Sequence, residues 1–146
     1  MILQAIDRNG KQIEFSNKNL SKKRTILYFY PKDNTSGCTK EACDFRDNLN
    51  RLLPYVDVVG VSPDSIASHL KFQQKQSLNF TLIADTDHEL ALKYGVWKEK
   101  SMYGRKYMGI ERSTFVLDAK GNIEKEWRKV KVAGHVDEIL AYLQNS

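Results

Sequence analysis

No stretch of this chain is apolar for anything near the roughly 18–20 residues that a membrane-spanning helix needs, and the opening ten residues already hold Gln4, Asp7, Arg8 and Asn9, where a secretory signal would be apolar. A soluble, cytoplasmic protein with no membrane partner is expected. The chain also lacks an internal repeat, a low-complexity tract and any linker-like segment. Its 146 residues are therefore expected to form a single domain over 1–146, long enough to bury about two-thirds of the unfolded surface without a disulfide or metal staple. Nor does one sign of charge dominate: 23 Lys and Arg stand against 18 Asp and Glu, and the net +5 is spread among interleaved acids. Basic clusters at 98–106 and 125–131 would suit an anionic substrate or a nucleic acid, but solvated surface charge explains them as well, and no nucleic-acid partner is expected.

Cysteine is scarce and concentrated. Only Cys38 and Cys43 occur, five residues apart. In a reducing compartment two close cysteines are more often catalytic, redox-active or metal-binding than a structural bridge. Free cysteine also packs as a small hydrophobe, so composition alone leaves a core role open. The three histidines, His69, His88 and His135, do not pair at common zinc spacings, nor does Cys-x4-Cys repeat, so no metal is expected. A Cys-His acyl hydrolase is not excluded by spacing, because its partners are adjacent only in space. His88 fits best as part of a helix start at Asp87.

What is present is alternation of strand and helix. Residues 2–6 and 11–15 suit a hairpin, with Asn9-Gly10 supplying the positive φ angles of a tight turn. Residues 25–30, 56–61, 80–83 and 114–117 are almost wholly apolar, as strands covered on both faces are. Helices are expected at about 39–53, 63–76, 87–94 and 135–144, with Ser62-Pro63 as a start signal, Gly95 as a stop, and Val136, Ile139, Leu140 and Leu143 forming an apolar stripe. Asp118 to Asn122 is expected to turn 114–117 into an antiparallel partner at 123–127. The fold class is α/β, with a central mixed sheet flanked by helices. Trp97 and the tyrosines between Met102 and Met108 are expected in the core or at a pocket rim.

Cys38 falls where the strand at 25–30 gives way to a helix. The free N–H groups and positive dipole end of a helix N-terminus favour a thiolate, and the thiolate is the nucleophile. The segment Pro31-x-x-x-Thr35-x-x-Cys38 resembles the active-site signature of peroxiredoxins, the thiol-dependent peroxidases, and Cys43 resembles the resolving cysteine of their atypical two-cysteine, bacterioferritin-comigratory-protein or PrxQ branch. The likeness extends along nearly the whole chain, through Tyr28-Phe29-Tyr30-Pro31-Lys32, Gly60-Val61-Ser62-Pro63-Asp64, Phe80-Thr81-Leu82, Tyr94-Gly95-Val96-Trp97 and Gly109-Ile110-Glu111-Arg112-Ser113-Thr114-Phe115. Two features depart from the family: Ser36 stands where proline is common, and the chain starts just past an Ala-Pro-Asp-Phe-like stretch.

The resemblance implies a thioredoxin-like fold in its peroxiredoxin variant and reduction of hydrogen peroxide and organic hydroperoxides without metal, haem or flavin. It implies that Cys38 attacks the peroxide, Cys43 resolves the sulfenic acid as an intramolecular disulfide, and a dithiol such as thioredoxin restores both. Thr35 would orient the peroxide, Arg112 would stabilise negative charge, Pro31 would shield the sulfur from bulk water, and Glu41 would hold the arginine. Taken singly, each has an ordinary alternative: Thr35 as a helix cap, Pro31 as a strand end, Glu41 as a first-turn acid, Arg112 as surface charge. A monomer is expected. A general thiol-disulfide oxidoreductase is the rival enzyme, and a basic nucleic-acid-binding domain the non-enzymatic one.

Overall fold

The computed structural model describes residues 2–146. Nine strands and four helices follow in the order β1 (Ile2–Ile6), β2 (Gln12–Ser16), β3 (Thr25–Phe29), α1 (Ser36–Leu52), β4 (Asp57–Ser62), α2 (Ile66–Gln76), β5 (Thr81–Ala84), α3 (Glu89–Lys93), β6 (Trp97–Met102), β7 (Arg105–Ile110), β8 (Ser113–Leu117), β9 (Ile123–Arg128) and α4 (His135–Gln144), with a 3-10 turn at Asn17–Ser21. Seven strands form one mixed sheet in the order β2-β1-β5-β4-β3-β8-β9. Its centre, β5-β4-β3, is parallel, and antiparallel strands flank it on both sides. None of the described helices is long and apolar enough to cross a membrane.

The largely apolar strands β3, β4 and β8 are buried on both faces, as their composition requires. Alternate residues of β3 separate two cores. Ile26 and Tyr28 pack beneath α1, α2 and α4 with Phe45, Leu52, Phe72 and Ile139, whereas Leu27 and Phe29 pack on the other face with Phe15, Leu90, Tyr94 and Phe115. Gly60 in β4 is where Tyr28 crosses: a Cβ there would lie 2.9 Å from Tyr28 Cζ, closer than side-chain carbons approach.

The first hairpin is present, but its turn differs from the expectation. Asn9 is not left-handed; Gly10 alone has positive φ, at 79°. Asp7 organises the loop, its Oδ1 accepting the N–H groups of Asn9 and Lys11, each at 2.9 Å. Asp118 does the same for Lys120 and Asn122 ahead of Gly121, so one loop design serves both sheet hairpins. Helix α1 starts earlier than 39, and α2 starts at Ile66 rather than 63, because Ser65 and not Ser62 is its cap and accepts the Ser68 N–H. His88 is left-handed at φ 60° immediately before α3 and stacks on Trp97 at 3.8 Å. The segment 97–110 forms a separate two-stranded hairpin: Trp97 packs against the second core, whereas Tyr103 at the tip and Tyr107 are outside the core and line a shallow depression with Met102.

Candidate active site

Strand β3 ends at Phe29, the chain passes Tyr30 and Pro31, and a loop through Thr35 delivers Cys38 as the third residue of α1. The first bond of this helix is Thr39 N–H to the Thr35 carbonyl at 2.8 Å. The N–H groups of Ser36, Gly37 and Cys38 therefore precede the intrahelical ladder and gather around the sulfur's end of the helix. Cys38 is buried, on the same core as Tyr28, Tyr30 and Phe45. Both cysteines are free thiols.

Arg112 reaches this point from across the sheet. It lies in the link between β7 and β8, and its backbone is pinned by a bond from Val130 N–H to its carbonyl at 2.9 Å. Its Nη2 donates to Cys38 Sγ at 3.2 Å and its Nη1 to Glu41 Oε1 at 2.6 Å. The guanidinium passes directly over Gly37: a Cβ there would stand 3.4 Å from Nη2, in van der Waals contact with it. Burial works against the guanidinium charge, but Glu41 and Cys38 more than offset it, and Arg112 titrates above the usual arginine range. Glu41 is almost completely buried, and burial pushes its carboxyl up to about 7, with Arg112 offsetting only part of the shift. Its second oxygen, Oε2, has no hydrogen-bond partner, and neither has the buried Tyr28 hydroxyl. Burial, then the charges of Glu41 and Cys38, hold Tyr28 well above the ordinary tyrosine range, so its hydroxyl stays neutral.

Three of the ordinary alternatives do not describe these residues. Thr35 occupies the N-cap position but makes no capping bond; its hydroxyl donates to the Lys32 carbonyl at 2.9 Å. Glu41 is not a solvated first-turn acid, and Arg112 is not free surface charge. Pro31 is half-buried at the strand's end. Cys43, about a turn and a half beyond Cys38 in α1, is not bonded to it. Its Sγ donates instead to Gln76 Oε1 at the end of α2, at 3.6 Å, beside a 2.6 Å bond from Arg46 Nη1 to the Gln76 carbonyl.

Sequence reasoning did not single out Lys100 within the 98–106 cluster. This lysine is partly buried, lies over Gly109, and is depressed by burial and by the charge of Arg112, which places a second cation near the sulfur. Gln76 and Asp33 were also missed, and His69 was weighed only as a metal or hydrolase candidate, because neither helix periodicity nor loop composition reveals which polar residues face inward. Asp33, Asp64 and His69 offer ligand atoms within 4.8 Å of one another, but all three residues are already engaged in hydrogen bonds. A depression of about 480 Å³, lined by Lys23, Thr25, Asp57, Asn79 and Thr81, lies at the opposite ends of β3, β4 and β5. The carboxyl ends of parallel strands are where open α/β sheets bind ligands, and Cys38 is at that end.

Residues 3–126 match the model of the AhpC/TSA family. The peroxiredoxin Bcp of Bacillus subtilis (strain 168) is 53% identical over 124 residues, covering 84% of this chain and 79% of that protein. The chain is a peroxiredoxin of the Bcp/PrxQ group. The peroxiredoxin Bcp of Escherichia coli (strain K12) is 41% identical over 139 residues, 94% of this chain and 88% of that protein. A solved structure of Xanthomonas campestris peroxiredoxin Q superposes with a TM-score of 0.89 at 42% identity, covering 99% of this chain and 90% of that one. The peroxiredoxin is thus a thioredoxin-like α/β protein and a peroxidase, taking a hydroperoxide substrate and a thiol reductant.

Proposed function

We propose that this peroxiredoxin reduces hydrogen peroxide and organic hydroperoxides through a Cys38 sulfenic acid that Cys43 resolves as an intramolecular disulfide, with thioredoxin or a similar dithiol protein as reductant. The observation that carries the proposal is the Arg112 guanidinium, which contacts Cys38 Sγ and Glu41 at once. The ionised sulfur attacks one peroxide oxygen; an S–O bond forms, the O–O bond breaks, and the departing alkoxide or hydroxide takes a proton to leave as alcohol or water. Arg112 and the amides of Gly37 and Cys38 stabilise the charge that moves onto oxygen. Thr35 orients the peroxide by switching its hydroxyl from the Lys32 carbonyl to the substrate, and Pro31, without an N–H, keeps bulk water off the sulfur. Condensation of the sulfenic acid with the Cys43 thiol releases water and forms the disulfide, and two electrons and two protons from the dithiol restore both thiols.

Organic hydroperoxides are included because the bacterioferritin comigratory protein of Xanthomonas campestris, 41% identical with a TM-score of 0.89, has alkyl peroxide reduction activity. The test is to mix reduced protein with one equivalent of hydroperoxide while following Trp97 and Trp127 fluorescence. A fast second-order phase, then a concentration-independent phase ending in an intramolecular disulfide, is expected. A general thiol-disulfide oxidoreductase would reduce protein disulfides and show no fast peroxide phase.

A further inference from the structure

A second buried polar cluster lies beside the site, and no step above uses it. Asp33, midway between Pro31 and Thr35, is buried, and its carboxylate meets two hydroxyl donors and an imidazole nitrogen. Tyr30 Oη is 2.6 Å from Oδ1, while Ser68 Oγ and His69 Nδ1 are 2.8 and 2.7 Å from Oδ2. The Asp33 N–H donates to Asp64 Oδ2 at 2.7 Å, and that oxygen also accepts from Ser62 Oγ. His69 is fully buried, and its Nε2 lies 2.9 Å from the Ile83 carbonyl. A carbonyl only accepts, so Nε2 carries a proton; Nδ1 then meets a carboxylate oxygen at a separation that needs a proton between them. The loop is thereby tied to the first turn of α2 and to the ends of β4 and β5.

Burying a carboxylate and an imidazole is costly unless each lone pair and proton is matched, and hydrophobic packing would hold an ordinary surface loop as well. This loop is not ordinary. Asp33 follows Lys32, whose carbonyl holds the Thr35 hydroxyl, and precedes Thr35 by two residues. Helix α1, by contrast, must loosen just beyond Cys38 for Cys43 to arrive. A loop anchored to α2 keeps its position while the helix opens.

We infer that Asp33 and His69 are positioning residues for the peroxidase reaction: they hold the loop bearing Pro31 and Thr35 so that a hydroperoxide is captured in line with Cys38, without setting the reactivity of the sulfur itself. The inference rests on the proposed function, and two reagents separate them. Iodoacetamide needs only a nucleophilic sulfur, whereas hydrogen peroxide also needs an oriented O–O bond. In Asp33→Asn and His69→Asn the peroxide rate constant should fall roughly 10- to 100-fold, as for a small misplacement of a reacting group, while the iodoacetamide rate stays within about twofold. Ser68→Ala removes one donor and leaves the pair; a peroxide loss of about threefold at unchanged iodoacetamide rate is expected, and this variant carries the test should the others fail to fold. Peroxide and iodoacetamide rates that fall together, or a peroxide rate unchanged in all variants, would overturn the inference. A wild-type protein no faster with peroxide than a free thiol would overturn the proposed function first.

Discussion

At the scale of the residue, Arg112 joins two groups with opposed demands. In the proposed mechanism Cys38 must be ionised to react, and Glu41 is buried so deeply that its carboxyl is pushed up to about 7. Replacing Arg112 with alanine removes one preorganised donor and should slow the peroxide step on the order of 10²- to 10³-fold, with lysine restoring only part of the rate. Stopped-flow rate constants for the three proteins check this, and a wild-type rate in Arg112→Ala would remove the residue from the chemistry. Glu41 gives a prediction in stability. Its native pKa lies above the unfolded value, so the native state binds the extra proton and the resulting stabilisation is full below about pH 4.5 and lost as pH rises through about 7. Relative to Glu41→Gln, the reduced wild-type protein should therefore lose up to about 3 kcal/mol between pH 4.5 and 7.5. Urea titrations of both proteins across that range measure it; a difference that does not change with pH contradicts the burial argument. The types and spacing of these residues were legible in the sequence. That Thr35 caps nothing was not, because its hydroxyl turns back to the Lys32 carbonyl, and Glu41's contact with Arg112 was anticipated only through the family resemblance, because it depends on where Arg112 arrives from across the sheet.

At the scale of the element, both cysteines belong to one continuous helix, α1. In a regular helix, residues five apart have Cα atoms about 8.7 Å apart and point about 140° away from one another, and a disulfide needs Cα atoms within about 7 Å. The proposed disulfide therefore requires the first turns of α1 to unwind. Hydrogen exchange should show the amides of residues 39–45 protected in the reduced protein and open in the oxidised one; equal protection in both forms would mean that Cys43 resolves another way. The contact of Cys43 with Gln76 must break in that transition, so Gln76→Ala should speed resolution. Elements with strong periodicity or continuous apolar runs were legible along the chain, including α4 over its full length. The hairpin β6–β7 was not, since its exposed strands mix Lys, Met and Tyr without apolar alternation. The start of α2 was misplaced because Ser62-Pro63 imitates a cap that Ser65 supplies.

At the scale of the molecule, the sheet separates two cores and sends Cys38 to the carboxyl end of β3, where the link from β7 to β8 sets down Arg112. The fold class was legible because central strands covered on both faces have a distinctive composition. The sulfur and its guanidinium, 74 residues apart in the chain, meet only through that topology. The central claim is that the two cysteines have different and ordered roles. It is tested most directly by titrating hydrogen peroxide into reduced Cys38→Ser and Cys43→Ser proteins with thioredoxin present and counting the equivalents consumed. The account predicts none for Cys38→Ser beyond the uncatalysed rate, and about one for Cys43→Ser before it stalls as a sulfenic acid. Consumption of an equivalent by Cys38→Ser, with loss of the first turnover in Cys43→Ser, would contradict it.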